Sequence, residues 1–230
     1  MFSADKVAEA LEILQTEIPY AVWETVYATL LSTFFAILIG LPLGVLLVAG
    51  EKNGVLPLPK PVMHILNVII NLLRSVPFLI LMIVLFPLTR AIVGTSVGTA
   101  ASIVPLVIAA FPFVARLVES SLKEVSPNII ETAQSMGASS IQIIWKVMIP
   151  ESVPSLISNF TIALTTILSY TAMSGIIGGG GLGKIAINYG YYRYKYLVMI
   201  IAVVLLVLLV QIFQSIGTHL AVRSDKRQKR

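Results

Sequence analysis

The chain has 230 residues, 57% of them hydrophobic and only 12% charged, with 16 Lys and Arg against 11 Asp and Glu for a formal charge of +5. A mean hydropathy of +0.93 exceeds what a soluble core of this size can hide, which excludes an ordinary soluble domain and makes the chain an integral membrane protein. With no cysteine there is neither a disulfide framework nor a thiolate metal site.

Residues 1–21 read as an amphipathic segment, apolar at Val7, Leu11, Leu14 and Ile18 and acidic at Asp5, Glu9, Glu12 and Glu17. It is expected to lie along the extracytoplasmic surface, packed on its own protein. No basic flank of a signal peptide precedes the first apolar stretch, so nothing is expected to be cleaved. Five stretches then reach the roughly 20 residues that cross a bilayer as helix, at 25–50, 61–89, 91–115, 152–183 and 197–222, the second interrupted by Arg74. The fold class is therefore all-α, with five transmembrane helices and a cytosolic loop at 119–151 between the third and the fourth.

An odd number of spans puts the termini on opposite sides. The tail at 218–230 carries Arg223, Lys226, Arg227, Lys229 and Arg230, and placing it in the cytosol leaves eleven cations inside against Lys6, Arg90, Lys184, Arg193 and Lys195 outside. The N-terminus is then extracytoplasmic. The aromatic run Tyr189, Tyr191, Tyr192, Tyr194 and Tyr196 falls at the outer interface, where amphipathic rings sit.

Catalytic constellations are missing. His64 and His219 stand apart with no ligand spacing, and Glu119, Glu124, Glu131 and Glu151 read as a solvated surface in or beside the cytosolic loop. The run GGGGLGKI from Gly178 to Ile185 nearly fits a phosphate loop, but Ile185 replaces the required hydroxyl and a membrane helix replaces the strand. A close-packed or flexible turn is the better reading.

The loop itself reads as two short amphipathic helices. Ser126 and Pro127 open the first, with Ile129, Ala133 and Met136 on one face. Gly137 ends or bends it, Ser139 or Ser140 caps a second, and Ile141, Ile144, Trp145 and Met148 follow on one face before Pro150 closes it. Such a pair either packs on its own bundle or is a knob for a partner; the pattern leaves both open.

Glu131, Ala133, Gly137 and Pro150 stand in the spacing E-A-A-x₃-G-x₉-I-x-L-P, with Thr132, Val147 and Ile149 as small departures. In this the chain resembles the binding-protein-dependent ABC importer permeases. The stretches VWETVYATL, RSVPFLIL, IVGTSVGTAASIVPL and SYTAMSGIIGGGGLGKIAINYGYYRY are similar to the methionine-importing members in particular. The resemblance implies a transmembrane domain over 22–217 in the bacterial inner membrane. It also implies a second copy of the chain, two cytosolic ATP-binding subunits, and an extracytoplasmic binding protein that delivers a small amino acid. The chain is then no enzyme and binds no cofactor, since ATP and magnesium sit on the ATPase. It further implies that the loop docks on that ATPase through Glu131, Ala133, Met136, Gly137, Ala138, Ser140 and Pro150. A permease for another small solute and a passive channel are the alternatives.

A translocation pathway should be lined by the small and polar residues of the fourth span, among them Thr161, Thr165, Thr166, Ser169, Tyr170, Thr171 and Ser174. Met173 stands in their midst, either as ordinary core packing or as a flexible constriction that closes the pathway. Asn67, Asn71 and Asn159 are expected to donate hydrogen bonds between helices.

Overall fold

In a bilayer every backbone polar group must be satisfied within the chain, and the apolar stretches obey this as helices. The computed structural model describes the backbone of residues 4–225 and the side chains of Ala8 and residues 10–225. The tail cations Lys226, Arg227, Lys229 and Arg230, and the side chains of Asp5, Lys6, Val7 and Glu9, lie outside the described residues.

The helices are α1 (Ala4–Thr16), α2 (Ile18–Ala49), α3 (Lys60–Ser75), α4 (Phe78–Val84), α5 (Phe86–Val93), α6 (Thr99–Lys123), α7 (Pro127–Ser135), α8 (Ser140–Ile143), α9 (Ile149–Ser174), α10 (Gly181–Ile185) and α11 (Tyr196–Ser224). A π-helical turn at Ile144–Met148 joins α8 to α9 without a break, and a second occupies Ala186–Tyr192. Among the described residues four helices are long and apolar enough to cross a membrane, and the bent pair of α3 and α4 brings the number up to five.

Three of the expected spans differ in detail. The stretch 61–89 is not one helix: the chain bends by 103° between α3 and α4. The cause is Pro77, which forces Val76 into an extended conformation (φ −81°, ψ 125°). The stretch 91–115 is cut by the turn that ends α5 at Gly94, and its helix starts at Thr99. The stretch 152–183 begins earlier and stops sooner, as one helical run over Ser140–Ile177. Pro150 therefore does not close a helix. Its ring would crowd the carbonyl four residues back, but the wider π turn lies there and the Ile149 N–H bonds to the Ile144 carbonyl.

The chain groups into two compact units, one of residues 1–34, 77–108 and 164–213 and one of residues 35–76, 109–163 and 214–230. In the first, α1 packs through Ala10 and Ile13 against Leu182, Ile185, Val198 and Ala202. Of the expected face, Ile18 belongs to this cluster and Leu14 packs against it, whereas Leu11 is half exposed.

In the second unit Leu47, Ile70 and Ala115 form the apolar core. A polar clamp lies beside it. The Arg116 guanidinium donates to Asn67 Oδ1 at 2.8 Å, Asn71 Oδ1 at 3.0 Å and Glu119 Oε2 at 2.7 Å. Lys123 donates to Glu119 Oε1 and Glu51 Oε1, each at 2.8 Å. Glu119 is therefore no solvated surface residue: its side chain is 15% exposed and doubly paired. Asn159 donates across helices as expected, to Leu117 O and Ser121 Oγ. Asn67 and Asn71 instead accept from Arg116, a role set by the guanidinium's having donors only.

Arg116→Ala removes the donors of two amide oxygens and one carboxylate at once. The expected destabilisation is about 2–3 kcal/mol, with Arg116→Lys recovering part of it because the charge stays and the planar fork is lost. Thermal unfolding in detergent reads this as a lowered midpoint; an unchanged midpoint in the alanine variant would show that the clamp contributes nothing.

Candidate functional site

The loop at 119–151 is built from a helix stop and a helix start only a few residues apart. Helix α7 has Ser126 and Pro127 at its head as expected, although the Ser126 side chain makes no capping bond. At its tail Gly137 has φ +79°. The Ala138 N–H then donates to the Ala133 carbonyl at 3.1 Å and the Gly137 N–H to the Gln134 carbonyl at 2.9 Å, the paired bonds of a left-handed helix stop. Ser139 starts the next helix. Its Oγ accepts from the Gln142 N–H while Gln142 Oε1 accepts from the Ser139 N–H, a reciprocal capping box.

The apolar residues of this loop divide between two directions. Ile143, Ile144 and Met148 are buried, whereas Ile129, Ile141 and Trp145 are exposed and Met136 is 83% exposed. Ile141 and Trp145 therefore do not share the inward face of Ile144 and Met148, although the spacing suggested it. An i, i+3, i+4, i+7 set spans a broad stripe, and only its Ile144–Met148 edge is covered by protein. Large apolar side chains left uncovered in a polar loop are a feature that contact surfaces share. Glu131 and Gly137 are exposed there, Ala133, Ala138 and Ser140 half-buried.

The second candidate region is the far part of α9. Ser169 and Met173 are exposed, Met173 by 44%, and Thr166 and Tyr170 are half-buried. These four lie at i, i+3, i+4 and i+7 and form one open face. Ser174 does not belong to it: it is buried and donates to the Thr171 carbonyl at 2.7 Å, and Thr171, also buried, donates to the Leu168 carbonyl. Hydroxyls that bond to their own helix satisfy themselves in an apolar setting and need not line anything. Tyr170 stacks on Phe78 with centroids 4.6 Å apart and planes within 5°. Nothing in the neighbourhood of Phe78 signals this contact, since its partner lies about ninety residues on.

The glycine run is a close-packed turn. Glu24 accepts from Thr99 Oγ1 at 2.5 Å and from the Gly181 N–H at 2.8 Å, and Thr25 Oγ1 accepts from the Leu182 N–H at 2.9 Å. A Cβ on Gly180 would meet Thr99 Oγ1 at 1.8 Å and both Glu24 oxygens at 2.7 Å, so no other residue fits there. Near this turn the Tyr189 hydroxyl donates to Glu17. That bond, with some burial, raises the phenol's pKa above its ordinary value.

Residues 40–223 match the family described as "Binding-protein-dependent transport system inner membrane component". The chain is 49% identical over 207 residues to the probable D-methionine transport system permease protein MetI of Vibrio cholerae, covering 90% of this chain and 92% of that one. It is 45% identical over 154 residues to the D-methionine transport system permease protein MetI of Escherichia coli K12, covering 67% and 70%. Among solved structures, a chain of the MetNI methionine ABC transporter in an inward-facing conformation superposes with a TM-score of 0.91 at 42% identity, covering 94% and 99%.

Nothing lies within 4 Å of a Cβ built on Gly137, so only its backbone conformation resists substitution. Gly137→Asn should cost under about 1 kcal/mol and Gly137→Val about 2 kcal/mol, because a β-branched side chain tolerates positive φ worst. Amide exchange at positions 137 and 138 should accelerate in the valine variant and stay near wild type in the asparagine one. Equal exchange in both would mean that the left-handed residue does not hold the turn.

Proposed function

The chain belongs to the family of binding-protein-dependent transport system inner membrane components, and we propose that it is the membrane-spanning permease of an ATP-driven methionine importer, acting as a homodimer. Two cytosolic ATPase subunits dock on the 119–151 loop through the exposed Met136, Ile141 and Trp145, beside Glu131, Ala133, Gly137, Ala138 and Ser140. An extracytoplasmic binding protein delivers the substrate at the opposite end. ATP and magnesium belong to the ATPases, and this chain needs no cofactor of its own.

One observation carries this reading. The exposed apolar side chains sit at the head of an uninterrupted helical run, Ser140–Ile177, whose far part presents Ser169, Tyr170 and Met173. A push at the loop therefore reaches Met173 along a single rod, with Pro150 inside it. The choice of methionine is supported by the likeness to the D-methionine permeases and to the methionine transporter structure. The orientation is supported by the distribution of the 16 Lys and Arg, eleven of which fall on the loop side.

Met173 closes the pathway in the resting permease as a flexible, polarizable plug. In proteoliposomes containing the permease, the ATPases and the binding protein, labelled methionine should accumulate only with ATP. Met173→Ala should assemble normally and leak methionine without ATP. Uptake that ignores ATP sinks the importer reading, and unchanged transport and leak in the variant sink the role of Met173.

Because the chain has no native cysteine, sidedness can be read directly. Ser140→Cys should crosslink to an ATPase and Tyr191→Cys, at a 70% exposed position, should react only with an impermeant reagent added outside. Gly190 is a poor probe, being buried with Met199 against it. Labelling of Tyr191→Cys solely from the cytosolic side reverses the orientation.

A further inference from the structure

The first unit contains a cavity of about 470 Å³ between the start of α2 and the segment 181–193. Its size suits a small solute. Its lining is of mixed charge: Glu17 and Glu24 contribute carboxylates, and Lys184 and Arg193 contribute cations. Tyr20, with a mostly exposed ring, and buried Ile185 add apolar wall.

These charges are not spent on one another. Glu24 accepts from Thr99 and Gly181, both neutral donors, and makes no ion pair with the described residues. The ion pairs Arg116–Glu119, Lys123–Glu119 and Lys123–Glu51 lie in the other unit. A cation arriving beside half-buried Glu24 would make the charge-assisted bond that its two neutral donors do not. Among the described residues Lys184 makes no ion pair either, and Arg193 stands over the Tyr189 ring at 4.8 Å. Glu17 accepts from the Tyr189 hydroxyl on one oxygen, and each Glu24 oxygen, holding one bond from a neutral donor, keeps a lone pair for a cation.

We propose that this cavity binds a zwitterionic α-amino acid, with its ammonium on Glu24, its carboxylate on Lys184 and Arg193, and its apolar side chain between Tyr20 and Ile185. The amino acid's identity as methionine rests on the function proposed above; the pairing of charges does not. A phosphatidylethanolamine headgroup offers the same pair of opposite charges, so the test must separate the two sources.

The assembled complex in phosphatidylglycerol nanodiscs is photolabelled with a diazirine analogue of methionine, and the labelled peptides are mapped. Methionine-protectable label is expected within residues 16–24 and 181–193. Lys184→Ala, an exposed change that leaves the fold alone, and Glu24→Gln, which keeps an acceptor without the charge, should each lower it about tenfold or more, the loss expected from one charge-assisted hydrogen bond. Methioninamide and the desamino analogue should not protect. Absence of label there, or label in either variant equal to that of the unaltered chain, overturns the site. Protection by glycerophosphoethanolamine but not by any free amino acid also overturns it, in favour of a lipid headgroup. Uptake is measured in parallel. Methionine uptake without label defeats the cavity alone, whereas protection by another amino acid with no methionine uptake leaves the cavity standing and defeats the methionine reading.

Discussion

A membrane helix longer than the membrane is the constraint on which the rest of this protein turns. The run Ser140–Ile177 has 38 residues, about 57 Å at 1.5 Å each, while the hydrocarbon core is about 30 Å thick. The surplus must stand in water, and the sequence is written for that. Ser139 and Gln142 cap its head in polar fashion, Gly137 turns the preceding helix back against it, and apolar Ile141 and Trp145 are left uncovered. The π turn at Ile144–Met148 absorbs Pro150, so the rod stays continuous where a proline would otherwise end it.

Holding such a rod needs forces other than the hydrophobic effect, which does little between helices in lipid. Each compact unit has its own polar solution. In one, Arg116 gathers Asn67, Asn71 and Glu119, and Lys123 extends the set to Glu51. In the other, Glu24 ties the start of α6 to the glycine turn before α10 through Thr99 and Gly181. Both use charge-assisted bonds with several donors to one acceptor group or several acceptors to one donor group, which is how a charge survives near hydrocarbon.

Much of this was legible in the sequence, because composition and span length are dictated by the bilayer, and because Gly137 and Ser139 act through local chemistry. Local rules also placed Asn159 as an interhelical donor. What they missed is non-local or directional. Pro150 reads as a stop unless the extra residue of a π turn is known. Pro77 bends a stretch that hydropathy alone makes one span. Glu119 looks solvated until Arg116 and Lys123 are brought to it. Ser174 shares the composition of a pathway face but lies on the wrong side of α9, one residue from Met173. The stack of Tyr170 on Phe78 and the cavity at Glu24 join segments far apart in the chain, beyond any periodicity.

The central claim, that the loop acts on the Met173 face through one rigid helix, has a direct measurement. Spin labels at positions 140 and 173 of the same chain, diluted with unlabelled chains, report their separation by pulsed dipolar spectroscopy. Thirty-three residues of helix predict about 50 Å. The account predicts that distance, narrowly distributed, both without nucleotide and with ATP trapped on the ATPases. A shortening or broadening of more than about 5 Å on trapping ATP, about one helical turn, would show that the helix breaks between the two points and that the loop does not drive the Met173 face as a rod.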